Sequence, residues 1–162
     1  MIFSKITLSE KLGIVNNMRR IILFIVFIVI TVAAKAQCNQ PYKSFDQFRN
    51  DTTAFLRYNF KTRADCYKGK TVAYVLKDLQ LRPKSYVALY STKTNKYRGI
   101  CIFMDDKGYI DAKTKNQYIY IYWKGLLDDE GVVKLGRTYD SDIWVQQHYD
   151  FFKDNIVGEI IY

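Results

Sequence analysis

The side chains that could carry out chemistry are few in this sequence of 162 residues. His148 is the only histidine, and adjacent acids occur in two runs, Asp105-Asp106 and Asp128-Asp129-Glu130. Clustered carboxylates can hold a divalent cation or transfer protons. Both runs fall in predicted turns, where adjacent acids usually face water. The sequence therefore favours a solvated role for them and predicts no metal site.

A cysteine–histidine nucleophile pair is the second chemistry to consider. Cys66 or Cys101 could in principle act with His148, but no local signature supports either pair. The sequence has no C-x-x-C, G-x-S-x-G, H-E-x-x-H or glycine-rich phosphate loop. We therefore predict no catalytic residues and no cofactor.

Aromatic residues give the positive signal. All fourteen tyrosines lie between residues 37 and 162. Tyrosine combines a large apolar area with a polar tip, which suits interfaces as well as half-buried sheet positions. The predicted binding surface combines exposed tyrosines with a basic segment, and it consists of Arg82, Lys84, Tyr90, Lys93, Lys96, Tyr97 and Arg98.

Charge is unevenly distributed along the chain. Residues 57–98 contain eleven Lys or Arg and two Asp, whereas residues 99–162 contain seven Lys or Arg and eleven Asp or Glu. Such an asymmetry can steer acidic partners, although separate solvated faces would give the same count. Because export is predicted below, nucleic acid is not expected as a partner.

The first 36 residues read as a secretory signal peptide. Met18-Arg19-Arg20 forms a basic start, residues 21–34 form an apolar run, and Ala34-Lys35-Ala36 forms an A-x-A cleavage site. The apolar run is short for a membrane span, but an uncleaved anchor remains an alternative. Residues 1–17 look unlike a signal start, so translation is expected to begin at Met18.

Cleavage would leave residues 37–162 as one domain in the periplasm or outside the cell, with no stable membrane span. Gln37, which precedes Cys38, argues against lipidation because lipoprotein signals place a small residue there. Cys38 and Cys66 flank the first predicted helix and are the expected disulfide pair, with Cys101 reduced. Absence of any disulfide remains open, because Cys38 would be the second residue of the mature chain.

Hydrophobic periodicity predicts an α+β fold with N-terminal helices, an antiparallel β meander, a further helix and a C-terminal strand. Helices are predicted over residues 45–58, 72–79 and 143–152, with Ser44, Thr71 and Ser141 or Asp142 as caps. Residues 59–70 read as a polar connection. Residues 128–131 read as a turn, or alternatively as the start of a short helix over 132–137.

Strands are predicted over residues 84–91, 97–104, 117–123 and 155–162. The run QYIYIYW at 117–123 alternates strictly, which places Ile119, Ile121 and Trp123 on the core face. The alternate tyrosines would form a second face, under a helix or presented to a partner. Trp144 is predicted to be buried on the third helix.

Three stretches together resemble an uncharacterised family of small Sec-exported proteins from Gram-negative bacteria. They are CYKGKTVAYVLKDLQLRPKSYVALY, the strand containing IYIYW, and FFKDNIVGEI after Trp144. The resemblance covers residues 66–162 and supplies no catalytic residues. It implies an exported, non-catalytic protein-binding domain, immunity-like by analogy with partners that neutralise secreted toxins. The alternative is an enzyme or carbohydrate-binding module that uses the tyrosine-rich sheet face.

The signal peptide generates the first testable prediction. Protein recovered from its native host should begin at Gln37, and one thiol should react with alkylating reagent in denaturant without reductant. Intact mass spectrometry measures both values. An intact N-terminus or a lipid-modified Cys38 would refute soluble export, and three reactive thiols would refute the disulfide.

Overall fold

The computed structural model describes residues 18–20, 38–105, 115, 117–139 and 143–162. The chain divides into two compact units, Met1–Asn39 and Gln40–Tyr162. In the first unit, residues 18–20 are helical and exposed, and the predicted apolar run and cleavage site lie outside the described residues. No helix within the described ranges combines the length and apolar character needed to cross a membrane.

A four-stranded sheet organises the second unit. Its strands are β1 (Ser85–Ser91), β2 (Lys96–Phe103), β3 (Tyr118–Leu127) and β4 (Val157–Ile161). They lie in the order β1-β2-β3-β4, and every neighbouring pair is antiparallel. The predicted α+β class, the meander and the C-terminal strand are confirmed, and β3 is an inner strand as its two apolar faces indicate.

The inner face of the sheet carries the main core. Ile119, Ile121 and Trp123 of β3 are buried on it, as the alternation predicts. Ile100 and Ile102 of β2 pair directly with Ile121 and Ile119 and extend the same apolar layer. Burial of these side chains is the dominant contribution to stability, because each removes a large apolar area from water.

Helical segments cover this face from both ends of the chain. In chain order they are a 3₁₀ turn (Phe45–Phe48), α1 (Thr52–Leu56), a π-helical segment (Arg57–Thr62), a second 3₁₀ turn (Ala64–Tyr67), α2 (Val72–Leu79), α3 (Asp129–Thr138) and α4 (Gln146–Phe152).

The single helix predicted over residues 45–58 is wrong. Arg49 and Asn50 both adopt left-handed backbone conformations, with φ of 52° and 63°, and these interrupt the helix after one turn. A new helix starts at Thr52, where the Asp51 carboxylate accepts the Ala54 N–H at 2.9 Å. Ser44 makes no side-chain cap. The aromatic spacing is nevertheless a core pattern, because Phe55 is fully buried.

Residues 59–70 were predicted as a polar connection, and this is also wrong. Asn59 and Arg63 are buried, and the Arg63 guanidinium donates to Asn59 Oδ1 at 3.2 Å and to the Tyr67 hydroxyl at 3.2 Å. Its Nε also donates to the Gln40 carbonyl at 3.0 Å. A buried guanidinium needs such partners, so this cluster orders the segment around residue 40 as well as the helices.

The second helix is confirmed with its predicted bounds, Val72–Leu79. The Thr71 hydroxyl accepts the Tyr74 N–H at 3.3 Å, as expected for an N-cap. The N–H groups of Val72 and Ala73 donate to the carbonyls of Asn155 and Lys153. These acceptors lie between α4 and β4, so backbone hydrogen bonds hold the start of α2 to the segment that leads into β4.

The predicted helix over residues 143–152 is shorter than expected. It begins at Gln146, and Trp144 lies before it, outside any helix or strand. Trp144 is 8 % exposed and packs edge-on against Tyr86. The predicted caps Ser141 and Asp142 lie outside the described residues. The alternative helix over 132–137 is present as α3, with Asp129 and Glu130 in its first turn.

The three cysteines differ in state. Cys38 and Cys66 are disulfide-bonded. Cys101 is a buried thiol outside any disulfide, on β2.

Both tryptophans should be essential to stability. Trp123→Ala or Trp144→Ala should lower the free energy of unfolding by about 3–5 kcal/mol, because each leaves a cavity in the core. Leu126→Ala is the matched control, since Leu126 is 48 % exposed on β3, and it should change stability by less than about 0.5 kcal/mol. Urea unfolding measures all three. Wild-type stability in both tryptophan variants would show that the core is assigned incorrectly.

Stability should fall at high pH through Tyr42. Burial and the nearby Asp78 carboxylate raise the pKa of Tyr42 from 10.0 to about 12. The unfolded state therefore loses this proton at a lower pH than the folded state, so stability is full below pH 10 and declines as pH rises towards 12. In Tyr42→Phe this component of the decline should be absent, although loss of the hydrogen bond to the Asp78 carbonyl lowers stability at every pH. Equal slopes above pH 10 in both proteins would contradict the assignment.

Candidate binding surface

The candidate acids do not converge on one another. Asp105 pairs with Lys115 at 3.4 Å, near the end of β2 that precedes the loop to β3. Asp128 pairs with Lys96 at 3.0 Å at the opposite end of β2, and its side chain is 82 % exposed. Among the described residues, no group of three or more His, Cys, Asp or Glu side chains is placed to hold a metal ion.

His148 is a core residue in the structure. Its ring is fully buried and lies 4.6 Å from the Tyr86 ring centre and 5.8 Å from that of Trp144. Its Nδ1 accepts the Val145 N–H at 3.2 Å, which places His148 in the first turn of α4. Cys101 lies on the other face of the sheet, in a separate cluster with Phe103. The arrangement therefore separates the histidine from the thiol.

The predicted basic residues lie at two ends of β1. Arg82 and Lys84 precede the strand, whereas Lys93 and Lys96 lie in and after the turn that follows it. A seven-residue strand spans about 23 Å, so these pairs are too far apart to contact one group on a small ligand. The two pairs of cations therefore lie at opposite ends of β1.

The two predicted tyrosines and Arg98 divide between the faces of the hairpin. Tyr90 and Tyr97 pack edge-on with ring centres 5.2 Å apart, and Tyr97 also touches the main core. Burial raises the pKa of Tyr97, and the Asp129 carboxylate adds to the shift. The Arg98 guanidinium instead lies 5.0 Å from the centre of the Tyr122 ring, on the outer face. The seven predicted residues therefore do not form one continuous patch.

A row of tyrosines runs along the outer face of β3, as the alternation predicts. Tyr118 and Tyr120 meet edge to face at 5.3 Å, and Tyr120 and Tyr122 are stacked at 6.3 Å. The three side chains are half-buried, and Phe103 and Cys101 of β2 lie beside them. We call Tyr118, Tyr120 and Tyr122 the tyrosine row.

The outer edge of β1 is a feature that sequence reasoning missed. The Met104 N–H donates to the Gln117 carbonyl at 2.9 Å, so even-numbered residues at this end of β2 bond to β3. Along a strand, the backbone N–H and C=O groups of successive residues point to opposite sides. The odd-numbered residues at this end of β2 therefore point towards β1, where they pair with odd-numbered residues such as Ser85 and Val87. Tyr86 and Ala88 therefore direct their N–H and C=O groups away from the sheet.

Just before β1, the Lys84 N–H donates to the Phe103 carbonyl of β2 at 2.8 Å, whereas the Lys84 carbonyl faces away from β2. The Trp144 N–H reaches the Lys84 carbonyl at 2.6 Å from the outer side. Beyond Lys84, the described part of the chain supplies no backbone hydrogen bond to this edge of β1. Val87 and Tyr90 are 43 % and 44 % exposed along it. Alternation predicts a strand here, but sequence carries no direct signal for its position at the edge.

A shallow cleft of about 350 Å³ lies near the other edge of the sheet. Asp65 and Lys68 line one side, and residues 158–160 of β4 line the other. The cleft has mixed charge and contains one acid from each side, Asp65 and Glu159.

Comparison with known proteins gives no relative: no family model matches the chain, and neither curated proteins nor solved structures yield a match.

Proposed function

We propose that this chain is an exported, non-catalytic protein-binding domain that binds its partner through the β1–β2 hairpin. The observation that carries the proposal is the exposed pair Val87 and Tyr90 on an edge strand bounded by cations. Tyrosine and arginine are among the residue types that contribute most to binding energy in protein interfaces. The candidate acids and His148, by contrast, are distributed over three separate places.

Export is part of the same proposal. The three-part signal in residues 18–36 supports a periplasmic or secreted location. The disulfide-bonded state of Cys38 and Cys66 suits a compartment where disulfides persist. The resemblance to small exported proteins adds the more specific suggestion of an immunity-like protein, which would neutralise a secreted toxin by binding it.

A second candidate function uses the tyrosine row. Three half-buried tyrosine rings follow one another along β3, and the Arg98 guanidinium lies over the last of them. Such a surface could bind a carbohydrate or position a substrate. The two functions place the ligand on different parts of the sheet, so they can be separated by position-specific crosslinking.

The decisive experiment introduces a photoreactive amino acid at single positions in the native host. At Tyr90 it should form a covalent adduct with a specific protein, because the side chain is exposed on the proposed interface. Lys134 is the matched control, as an exposed residue of α3, and it should yield no such adduct. An adduct from Tyr122 but not Tyr90 would favour the tyrosine row.

Binding of the captured protein then tests the catalytic alternative. Tyr90→Ala should weaken its affinity about tenfold or more, as expected for an interface anchor. Asp105→Asn and Asp128→Asn should leave affinity unchanged. Turnover of a small molecule that is abolished by either Asp variant and retained by Tyr90→Ala would show that the protein is an enzyme and would overturn the proposal.

A further inference from the structure

We infer that the partner adds an extended acidic segment to the open edge of β1 as a fifth strand of the sheet. The inference rests on the proposed function and specifies its mode of binding. Strand addition uses main-chain hydrogen bonds for affinity and alternate side-chain positions for specificity.

The hydrogen-bonding groups for a fifth strand are already in place. Tyr86 and Ala88 direct their N–H and C=O groups away from β2. This direction follows from the Met104–Gln117 hydrogen bond and the registers of the three strands. The Trp144 N–H donates to the Lys84 carbonyl, so the edge that could pair with another strand begins after Lys84. It continues to the turn between β1 and β2. This edge is long enough for a strand of ordinary length, about five to seven residues.

Side chains along the edge suit an apolar alternating segment. Val87 projects on the outer side, and Tyr90 projects on the inner side beyond the core, each more than two-fifths exposed. An incoming strand would place alternate side chains against these two positions. Its central residues are therefore expected to be β-branched or aromatic.

Charge selects an acidic segment. Residues 79–104 contain no Asp or Glu, and Arg82 and Lys93 are exposed beyond the two ends of the edge. Neither of these two side chains forms an ion pair within the described part of the chain. Acidic residues at both ends of an incoming strand would meet a cation in either chain direction. Opposite charges of this kind raise the association rate and fix the register.

The same charges argue against a second copy of this chain. In a two-fold antiparallel pairing of β1 with β1, Arg82 and Lys84 of one copy would approach the turn of the other copy, which carries Lys93. Like charges would then meet at both ends of the pairing and destabilise it. Cations beside an edge strand are a known device against self-association.

The test uses a synthetic fluorescein-labelled peptide with two glutamates at each end of a five-residue alternating valine and threonine centre. Two control peptides carry lysines at the ends or a proline at the central position. The acidic peptide should bind in fluorescence polarisation, and the lysine and proline peptides should bind at least about tenfold more weakly. Amide hydrogen exchange should slow at Tyr86 and Ala88 when the acidic peptide is bound.

Two sets of variants test the edge itself. Ala88→Pro removes an outward N–H and should abolish binding, whereas Ala88→Val keeps that N–H and should bind normally. Since the proline could disturb the fold, the double variant Arg82→Glu and Lys93→Glu provides an independent test on exposed positions. It should reverse the preference and bind the lysine peptide more tightly than the acidic one.

Three results would overturn the inference. The first is no binding of the acidic peptide at millimolar concentration. The second is binding that protects the amides of the tyrosine row and leaves Tyr86 and Ala88 unchanged. The third is a dimer that protects both edge amides without peptide, which would identify a second copy as the occupant. A crosslink from Tyr90 to a protein, together with any of these, would retain the proposed function and reject strand addition.

Discussion

The apolar inner face of β3 is the constraint on which the rest of the domain depends. Ile119, Ile121 and Trp123 must be covered, and several short helical segments share this role. The cover comes from both ends of the chain: Phe55 and Phe60 from the N-terminal helical layer, and Phe152 from α4. Phe152 stacks on Trp123 with ring centres 5.7 Å apart.

Because distant segments of the chain cover one face of the sheet, they must also be fixed to one another. The backbone bonds from α2 to residues 153 and 155 achieve this, and the buried Arg63 cluster orders the N-terminal side.

Joining the two ends of the chain makes the two edges of the sheet unequal. At the β4 edge, Gly69 donates to the Val157 carbonyl and Val157 donates to the Lys70 carbonyl, so the strand is paired with the segment before α2. Thr71 and Ile156 add an isolated bridge. At the β1 edge, the comparable contact within the described ranges is the bond from the Trp144 N–H to the Lys84 carbonyl. An edge strand with outward N–H and C=O groups is a template for another chain. Among the described residues, the asymmetry therefore follows from how the core is closed, and β1 is the edge strand with fewer backbone partners.

Sequence periodicity predicts the parts of this fold that alternate strongly. The four strands, the buried residues of β3 and the helix that begins after Thr71 all follow from local pattern, because burial of one face dictates the residue types. The break at Arg49 and Asn50 has only a weak signal in the sequence, since asparagine is enriched in the left-handed conformation but arginine is not. The burial of Arg63 also has no local signal in the sequence, because its hydrogen-bond partners lie as far away as Gln40 and Tyr67. The candidate surface was only half predicted: the cations and Tyr90 are visible in sequence, but the position of β1 at the edge depends on strand order.

The cations around β1 have two consequences that arise from the same electrostatics. They oppose pairing of the edge with another copy of this chain, which protects an exposed strand from self-association. They also favour a strand of opposite charge, since the incoming acids would replace water and counterions beside Arg82 and Lys93. Protection alone would be served equally well by acids or by a proline within the strand, and neither occurs between residues 84 and 104. An edge that retains its hydrogen-bonding groups, exposes Val87 and Tyr90 and is flanked by charge of one sign disfavours pairing with a second copy and suits the acidic strand that we propose. Under the proposed function, such selectivity would let the domain accept an acidic partner strand and reject a second copy of itself.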